Sequence, residues 1–188
     1  MHKASTLKIS DALYGVMIPI VVAFLIVGIG MSASPAATGL KYTLLEAIVA
    51  VGVPMLIGLT WNQWAGGAAG FLMGSLYALY FADQVYASQG HSDISLLGNL
   101  VSAMLIGYIA GALNKRSDSY KRMLTSGVTA GIAGSIIVVY TSNFSTILGP
   151  ATIGGAATAF LPRVLAGIIV PVIARLFLRH GANGKRTT

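Results

Sequence analysis

Six polar residues lie within or beside long apolar runs of the sequence, where a charge or an unpaired polar group is costly. They are Glu46, Tyr80, Asp83, Asn99, Asn143 and Arg163. Polar groups in such surroundings normally pair with one another, face a wet cavity or lie at a membrane interface. The chemistry they offer is hydrogen bonding and charge pairing, so we take them as the candidate residues for binding a small molecule.

Arg163 is the strongest of these candidates. It follows Pro162 and begins the last apolar run of the chain. Its planar guanidinium could bind a carboxylate or a phosphate through two parallel hydrogen bonds. The alternative is a structural arginine that extends to lipid head groups or pairs with Glu46 or Asp83. The sequence leaves both interpretations open.

The other candidates also have structural alternatives. Glu46 and Asp83 could bind a cationic group, or cap and solvate their helices. Tyr80, like Tyr77, could stack on a flat ligand or anchor its helix at the interface. Asn99 could contact a ligand, or form a hydrogen bond with a neighbouring helix. Asn143 adds a further polar group on the same predicted side of the membrane.

Motifs for catalysis and cofactor binding are missing from the sequence. It contains no cysteine, which excludes thiolate metal sites and cysteine nucleophiles. Its three histidines, His2, His91 and His180, are far apart in the chain and show no metal-ligand spacing. No Walker A, GxSxG, HExxH or dinucleotide-binding motif occurs. We therefore predict no enzyme activity, no metal and no cofactor.

The elements that carry these residues are predicted to be membrane-spanning helices. Hydrophobic residues make up 55% of the 188 residues, charged residues only 9%, and the mean hydropathy is +0.79. Such a chain has too little polar surface for a water-soluble protein. We predict an all-α polytopic protein of the cell membrane, with one transmembrane domain over residues 1–188. The basic residues lie in short runs that determine topology, so nucleic-acid binding is not expected.

Six spans of roughly 20 residues fit into the chain. They are predicted at residues 12–31, 42–60, 65–83, 96–113, 123–140 and 163–178. Residues 141–162 are too polar and too rich in glycine and proline for an ordinary span, and are predicted to form a lid or a partial helix. With six spans, all the lysines and arginines fall on one side except Lys41 and Arg163. The positive-inside rule then places both termini in the cytoplasm and the candidate residues towards the outer side.

Glycines indicate how the spans pack. They recur at spacings of three and four as Gly66, Gly67, Gly70 and Gly74 in the third span, and as Gly107 and Gly111 in the fourth. Small residues at such spacings let two helices approach closely. The second and third spans are joined by the short turn Trp61–Trp64 and are therefore predicted to form an antiparallel hairpin.

These features together resemble the membrane-embedded substrate-binding subunits, or S components, of energy-coupling factor vitamin transporters. The likeness lies in the six spans and in three segments, WNQWAGGAAGFLMGSLY, LIGYIAGALNKR and FLPRVLAGIIVPVIARLF. The resemblance implies capture of a vitamin or its precursor at the outer side. It also implies that Arg163, at the outer start of the last helix, contacts the ligand. The implied partners are a transmembrane coupling subunit and two cytoplasmic ATPases.

Two functions remain open on the sequence alone. One is a binding subunit for uptake, whose partners are the lipid bilayer, a small-molecule substrate and the energising subunits. The other is a non-catalytic structural or accessory subunit of a larger membrane complex, in which the glycines serve packing alone. A binding subunit predicts a closed polar cavity at the outer side, and an accessory subunit predicts none. A channel or carrier working alone is disfavoured, because no broken-helix pair or ring of charges stands out.

Overall fold

The structure, a computed structural model, describes residues 42–81, 93–145 and 152–184. The chain divides into two compact units, Met1–Leu44 and Leu45–Thr188. Of the first unit only residues 42–44 belong to the described part, so the architecture is described for the second unit. The predicted first span, residues 12–31, and the candidate residue Asp83 lie outside the described residues.

Five helices account for nearly all of the described residues, and no strand occurs among them. They are α1 (Tyr42–Thr60), α2 (Gln63–Phe81), α3 (Ile94–Asn114), α4 (Tyr120–Ser142) and α5 (Ile153–Gly184). The prediction of an all-α protein is confirmed for this part of the chain. Four of the helices are long and apolar enough to cross a membrane, namely α1, α3, α4 and the segment Ile153–Leu176 of α5. The chain is therefore a membrane protein.

α2 has the length of a span, with 19 residues, but does not belong to this apolar group. Glycine, serine, tyrosine and tryptophan alternate with its apolar residues and lower its mean hydropathy. Its outer surface nevertheless carries exposed large apolar side chains, namely Phe71, Leu72, Leu76 and Leu79. The total of six spans and the cytoplasmic position of the termini stay predictions.

α1 changes its winding along its length. It is a π-helix over Glu46–Gly52 and an α-helix over Val53–Thr60. Pro54, at the start of the α-helical part, has no backbone N–H, and in a regular helix its ring would clash with the carbonyl group four residues earlier. The wider turn of a π-helix takes that carbonyl away from the ring. Glu46 is the first residue of this π-helical segment.

The interior of the bundle is rich in small residues, although it also holds Met55, Leu59, Ile106 and Met123, and large apolar side chains cover much of its surface. The most deeply buried side chains include Ala103, Ala110, Ala130 and Ala174, each at most 1% exposed. Large apolar side chains that are more than half exposed include Leu79, Ile136, Leu161 and Ile169. Lipid tails are as apolar as leucine, so helices in a bilayer gain from close packing of small residues and not from burying large ones. This distribution agrees with a bundle that faces lipid.

Glycines permit backbone contact where the helices cross. Gly66 of α2 and Gly107 of α3 face one another, and a Cβ on either residue would overlap a carbonyl oxygen of the other. α4 and α5 meet in the same way, because a Cβ on Gly127 would lie 2.6 Å from the carbonyl oxygen of Gly167. The stripes predicted in the third and fourth spans therefore form a close interface between α2 and α3.

Short connections fix the order of the helices in the bundle. Only Trp61 and Asn62 separate α1 from α2, which pack together as the hairpin that the short turn predicts. Asn62 starts α2 as its cap, since Oδ1 accepts a hydrogen bond from the backbone N–H of Ala65 at 2.8 Å. After α3 the chain reverses through Lys115 and Arg116, which have φ values of 48° and 57°.

Candidate functional site

Three of the six candidate residues meet inside the bundle. Glu46 comes from α1, Asn99 from α3 and Arg163 from α5. Oε1 of Glu46 forms an ion pair with Nη2 of Arg163, and the same nitrogen lies 3.5 Å from Oδ1 of Asn99. The structure thus brings together a carboxylate, an amide and a guanidinium that are far apart in the sequence.

Arg163 is almost fully buried, with only 2% of its surface exposed. Its Nη1 donates a hydrogen bond to the carbonyl oxygen of Ala159 at 2.8 Å. Its Nε donates to Oγ of Ser102 at 3.4 Å, so the contacts with Ser102 and Asn99 are both long for hydrogen bonds. An arginine is rarely buried unless it is paired, and Glu46 supplies the opposite charge. The other three contacts hold the guanidinium in place.

Arg163 lies within a helix and not at its outer start, which corrects the expectation drawn from the sequence. α5 begins at Ile153, so about three helical turns precede Arg163. Thr152 caps the first turn, because its Oγ1 accepts a hydrogen bond from the N–H of Gly155 at 3.1 Å. Pro162 lies inside the helix without ending it. Neighbouring helices can satisfy the carbonyl that a proline frees within a membrane.

The stretch 141–162, predicted as a lid or partial helix, is helical at both of its ends. It contains the end of α4, and its last ten residues are the first turns of α5. Residues 146–151 lie outside the described part. This polar and glycine-rich stretch therefore contains the start of α5, next to the site.

Glycines of α4 leave the room that Arg163 needs. A Cβ on Gly131 would lie 2.5 Å from the carbonyl oxygen of Arg163, and one on Gly134 would lie 2.8 Å from Oγ of Ser102. Ser102 also donates a hydrogen bond to the carbonyl oxygen of Gly134 at 2.9 Å. Its proton is thereby engaged, and its lone pairs accept from Nε of Arg163. Four helices, α1, α3, α4 and α5, shape the site.

Two of the groups around Arg163 were missed by the sequence analysis. Ser102 follows Asn99 by three residues, so helical spacing places both on the same face of α3. That spacing is the signal that could have identified Ser102. The carbonyl oxygen of Ala159 becomes a partner only because residues 153–162 are helical and continuous with the last span, whereas the sequence predicted a lid or a partial helix over 141–162.

The hydrogen-bonding capacity of the site is not fully used. The guanidinium has five N–H donors, and its acceptors among the described residues are Glu46, Asn99, Ser102 and Ala159. The carboxylate contacts Nη2 of Arg163 through its Oε1. One of the five donors therefore remains for a bound molecule.

Two other candidates lie apart from Arg163. Asn143 is at the end of α4, where its Nδ2 donates to the carbonyl oxygen of Val139 at 2.9 Å, and its side chain is exposed. Tyr80 lies half-buried in the last turn of α2. Neither residue forms a hydrogen bond with Arg163. Tyr77 is the buried tyrosine and packs against Ala50 of the π-helical segment and Ala103 of α3.

A second buried polar contact closes the same end of the bundle. Asp93 caps α3, since its Oδ1 accepts from the N–H of Ser95 at 2.8 Å. Its Oδ2 accepts from Oγ of Ser145 at 2.9 Å, and both side chains are buried. This contact ties the start of α3 to the end of α4. It thereby fixes the two helices that supply Asn99, Ser102 and the glycines of the site.

The site supports binding by charge and by hydrogen bonds. It has one guanidinium and one carboxylate, so the pair is neutral overall. Within the described residues no group of three histidine, aspartate or glutamate side chains is placed to hold a metal ion. In the low dielectric of a helix bundle, charged and polar contacts are stronger than in water. The arrangement suits a small molecule that accepts a hydrogen bond from Arg163 and donates one to the carboxylate of Glu46.

The functional assignment of the chain depends on this arrangement. Glu46, Asn99, Ser102 and Arg163 come from three helices and form one connected polar cluster inside an apolar bundle. Similarity to a protein of known function would be independent evidence for the role of this cluster. The chain matches no protein-family model, no curated protein and no solved structure.

Proposed function

We propose that the chain is a membrane-embedded binding subunit that captures a small molecule, a vitamin or its precursor, for uptake through the cell membrane. The observation that carries the proposal is the buried ion pair between Arg163 and Glu46 inside a bundle of apolar helices. Removing two charges from water is costly, and apolar residues of similar size would pack as well or better. Ionisable residues in membrane spans commonly form the sites that bind and move substrates.

The ion pair also indicates the chemistry of the ligand. A carboxylate or a phosphate is the anion that a guanidinium binds best, here through charge and a hydrogen bond from the remaining donor. An amine or amide N–H of the same molecule can donate to the carboxylate of Glu46. A ligand that has both groups satisfies Arg163 and Glu46 without leaving either charge unpaired. We therefore expect an acidic ligand that also has a nitrogen-bound hydrogen.

Topology and partners complete the proposal. The chain has six spans and both termini in the cytoplasm, which places the Arg163 site in the outer half of the membrane. A transmembrane coupling subunit and two cytoplasmic ATPases supply the energy, since the sequence contains no Walker A motif of its own. These points are supported by the distribution of the basic residues and by the resemblance to S components.

Thermal unfolding of the purified protein tests the proposal. Individual vitamins and precursors are added, because a ligand that binds only the folded form raises the Tm by mass action. At a ligand concentration of 100 times Kd the stabilisation amounts to about 2.7 kcal/mol. We expect one acidic compound of the panel to raise the Tm.

Arg163→Lys is the matched variant for this experiment. It keeps a positive charge opposite Glu46 but loses the planar guanidinium and, with it, the fixed donor that remains for a ligand. We expect its affinity for the stabilising compound to fall at least about tenfold, which corresponds to 1.4 kcal/mol. The proposal fails if no compound raises the Tm of the wild type, or if the variant binds as tightly as the wild type.

A second function is favoured by one observation: the charge of Arg163 is already balanced within the chain, by Glu46. In a structural or accessory subunit of a larger membrane complex, this pair would serve only to align α1 with α5. The double variant Glu46→Met/Arg163→Met separates the two functions, because it removes both charges and keeps long apolar side chains. A binding subunit with this change folds but no longer responds to the ligand. An accessory subunit folds and still assembles with its partners, which co-purification measures.

A further inference from the structure

A polar cavity lies at the other end of the bundle, where the turns between α1 and α2 and between α3 and α4 meet. Its volume is about 430 Å³, and it is lined by Asn62, Gln63, Trp64, Gly111, Lys115 and Arg116. Nε of Arg116 donates to the carbonyl oxygen of Trp61 at 3.0 Å. That bond holds the guanidinium beside the cavity and leaves its two terminal nitrogens for another partner. The side chain of Lys115 forms no hydrogen bond or ion pair with any described residue.

The backbone of Lys115 and Arg116 is unusual. Both residues are left-handed, with φ values of 48° and 57°, and they are the two non-glycine residues with positive φ in the described part of the chain. Side chains with a Cβ adopt this conformation at a cost, which glycine and asparagine bear more easily. A turn alone does not require two cations at these positions. Strained residues of this kind often mark a binding site.

The start of α2 adds donors to the same cavity. α2 begins at Gln63, and the first N–H groups of a helix have no partner within the helix. Asn62 takes up two of these groups, through its Oδ1 for Ala65 and through its carbonyl oxygen for Gly66. Gln63 and Trp64 line the cavity, and their N–H groups have no acceptor among the described residues. Together with the two cations they favour an anion.

An apolar groove continues from this cavity between α2 and α3. It has a volume of about 530 Å³, and its lining includes Trp64, Gly67, Phe71, Leu72, Met104 and Tyr108. Trp64 belongs to both cavity and groove, and its ring meets the ring of Tyr108 edge to face at 5.4 Å. The nine residues from Trp64 to Leu72 extend over about 12 Å of helix, close to the roughly 15 Å of hydrocarbon in one leaflet.

We propose that the cavity and the groove together bind one anionic phospholipid. Its phosphate lies between Lys115, Arg116 and the start of α2, and an acyl chain follows the groove past Gly67. A free phosphate would use the cavity but not the apolar groove that adjoins it. The tryptophans of this turn are exposed, as expected at the boundary between head groups and hydrocarbon. Basic pockets beside membrane helices are suited to anionic head groups.

The test uses the full chain in lipid nanodiscs of phosphatidylcholine with a minor fraction of phosphatidylglycerol. Native mass spectrometry then measures which lipids stay bound after release from the disc. We expect the wild type to retain phosphatidylglycerol in clear excess over its share of the disc. Lys115→Asn/Arg116→Asn introduces residues that tolerate the left-handed turn and should lower this excess about 25-fold, at about fivefold for each basic residue.

The matched control is Lys121→Asn, which removes one exposed charge near the turn but does not line the cavity. It should retain phosphatidylglycerol like the wild type. Gly67→Leu fills the groove and keeps both cations, and it should lose the bound lipid as well. Lys115→Asn alone, with a fivefold loss, serves if the double variant does not fold, which its Tm shows.

Four results would overturn the proposal. The first is a wild type that retains the two lipids in their bulk proportion. The second is a Lys121→Asn variant that loses phosphatidylglycerol as strongly as the double variant, which would indicate diffuse charge attraction. Gly67→Leu would keep the lipid, which indicates that the groove is not used. Inorganic phosphate added to the discs would displace the lipid at equal concentration, which indicates a site for the free anion.

Discussion

Arg163 at one end of the bundle and Arg116 and Arg122 at the other are held by different kinds of partner. Arg163 is buried within α5 and paired with the carboxylate of Glu46. Arg116 and Arg122 are exposed, and their Nε atoms donate to the backbone carbonyl oxygens of Trp61 and Leu113 at 3.0 and 2.9 Å. Those carbonyls lie at the ends of α1 and α3, where a helix leaves carbonyl groups without partners and favours a cation.

The role of an arginine in this bundle thus depends on its position in the helix more than on its neighbours in sequence. At a helix end, arginine completes hydrogen bonds that the helix itself leaves open, and for Arg122 this bond is a sufficient explanation. Within a helix of a membrane bundle, arginine introduces a charge that a second residue must balance. The pair of Arg163 and Glu46 therefore calls for a functional explanation, and Arg122 does not.

The largest effect is expected from Arg163→Met. This change leaves the carboxylate of Glu46, whose side chain is only 15% exposed, inside the bundle without its counter-charge, and should lower the free energy of unfolding by about 3–5 kcal/mol. Adding Glu46→Met should restore most of that loss, because two apolar side chains need no compensation. Unfolding in mixed micelles of the wild type, both single variants and the double variant measures the coupling. Strictly additive changes in the free energy of unfolding would contradict the energetic coupling of the two charges.

The second largest effect is expected where α2 and α3 make close backbone contact, near the end of the bundle that contains Trp61. Gly66→Ala places a methyl group against the backbone of Gly107 and 2.6 Å from Cα of Gly58, and should cost about 1–3 kcal/mol. Gly67→Ala is the control, because its Cβ would lie 3.6 Å from Tyr108 and should change stability by less than about 0.5 kcal/mol. The same unfolding assay applies. Equal losses would show that the contact between α2 and α3 is looser than the structure has it.

A smaller effect is expected from Asn114→Ala. Asn114 is completely buried at the end of α3, and its Nδ2 donates to the carbonyl oxygen of Leu59 at 2.9 Å. Loss of this bond should lower the free energy of unfolding by about 1 kcal/mol. Loss of Oδ1 should not lower it, because that atom has no hydrogen-bond partner among the described residues. Asn143→Ala removes an exposed amide that makes a similar bond and serves as the control. A loss no greater than that of the control would mean that burial adds nothing to the bond.

The smallest effect is expected from Arg116→Gln. The residue is exposed, and such polar contacts contribute little to stability, so the free energy of unfolding should change by less than about 0.5 kcal/mol. The measurement is the same as for Arg163→Met, so the two arginines are compared directly. A loss of similar size at both positions would remove the distinction between the two ends of the bundle.

The helices α1 to α4 could be predicted within a few residues from the sequence. Long apolar runs interrupted by polar turns determine them, and Asn62 and Asp93 supply caps at the starts of α2 and α3. The start of α5 could not be predicted from the sequence, because Gly154, Gly155 and Pro162 are typical helix breakers in water. In a membrane, every backbone polar group needs an internal partner, so a helix persists through residues that would end it elsewhere.

The site could be predicted only in part. Polarity alone placed Glu46, Asn99 and Arg163 among the candidates, and the pairing of Arg163 with Glu46 was one of the alternatives. Ser102 becomes a partner only through the packing of α3 against α5, and the carbonyl of Ala159 only because α5 starts ten residues before Arg163, so neither could be predicted. Asn143 was included because of its polarity, but it satisfies a carbonyl of its own helix. A pattern of residue types does not distinguish these local bonds from contacts between helices.

The π-helical winding of α1 has a mechanical consequence for the two charges. Each residue of an α-helix advances about 100° around the axis, so rewinding Glu46–Gly52 as an α-helix would turn Glu46 relative to Pro54 by a large angle. Its carboxylate would then no longer face the guanidinium of Arg163. The pairing of charges inside the bundle thus depends on torsion along α1, and a twist applied to that helix acts directly on the electrostatics of the site.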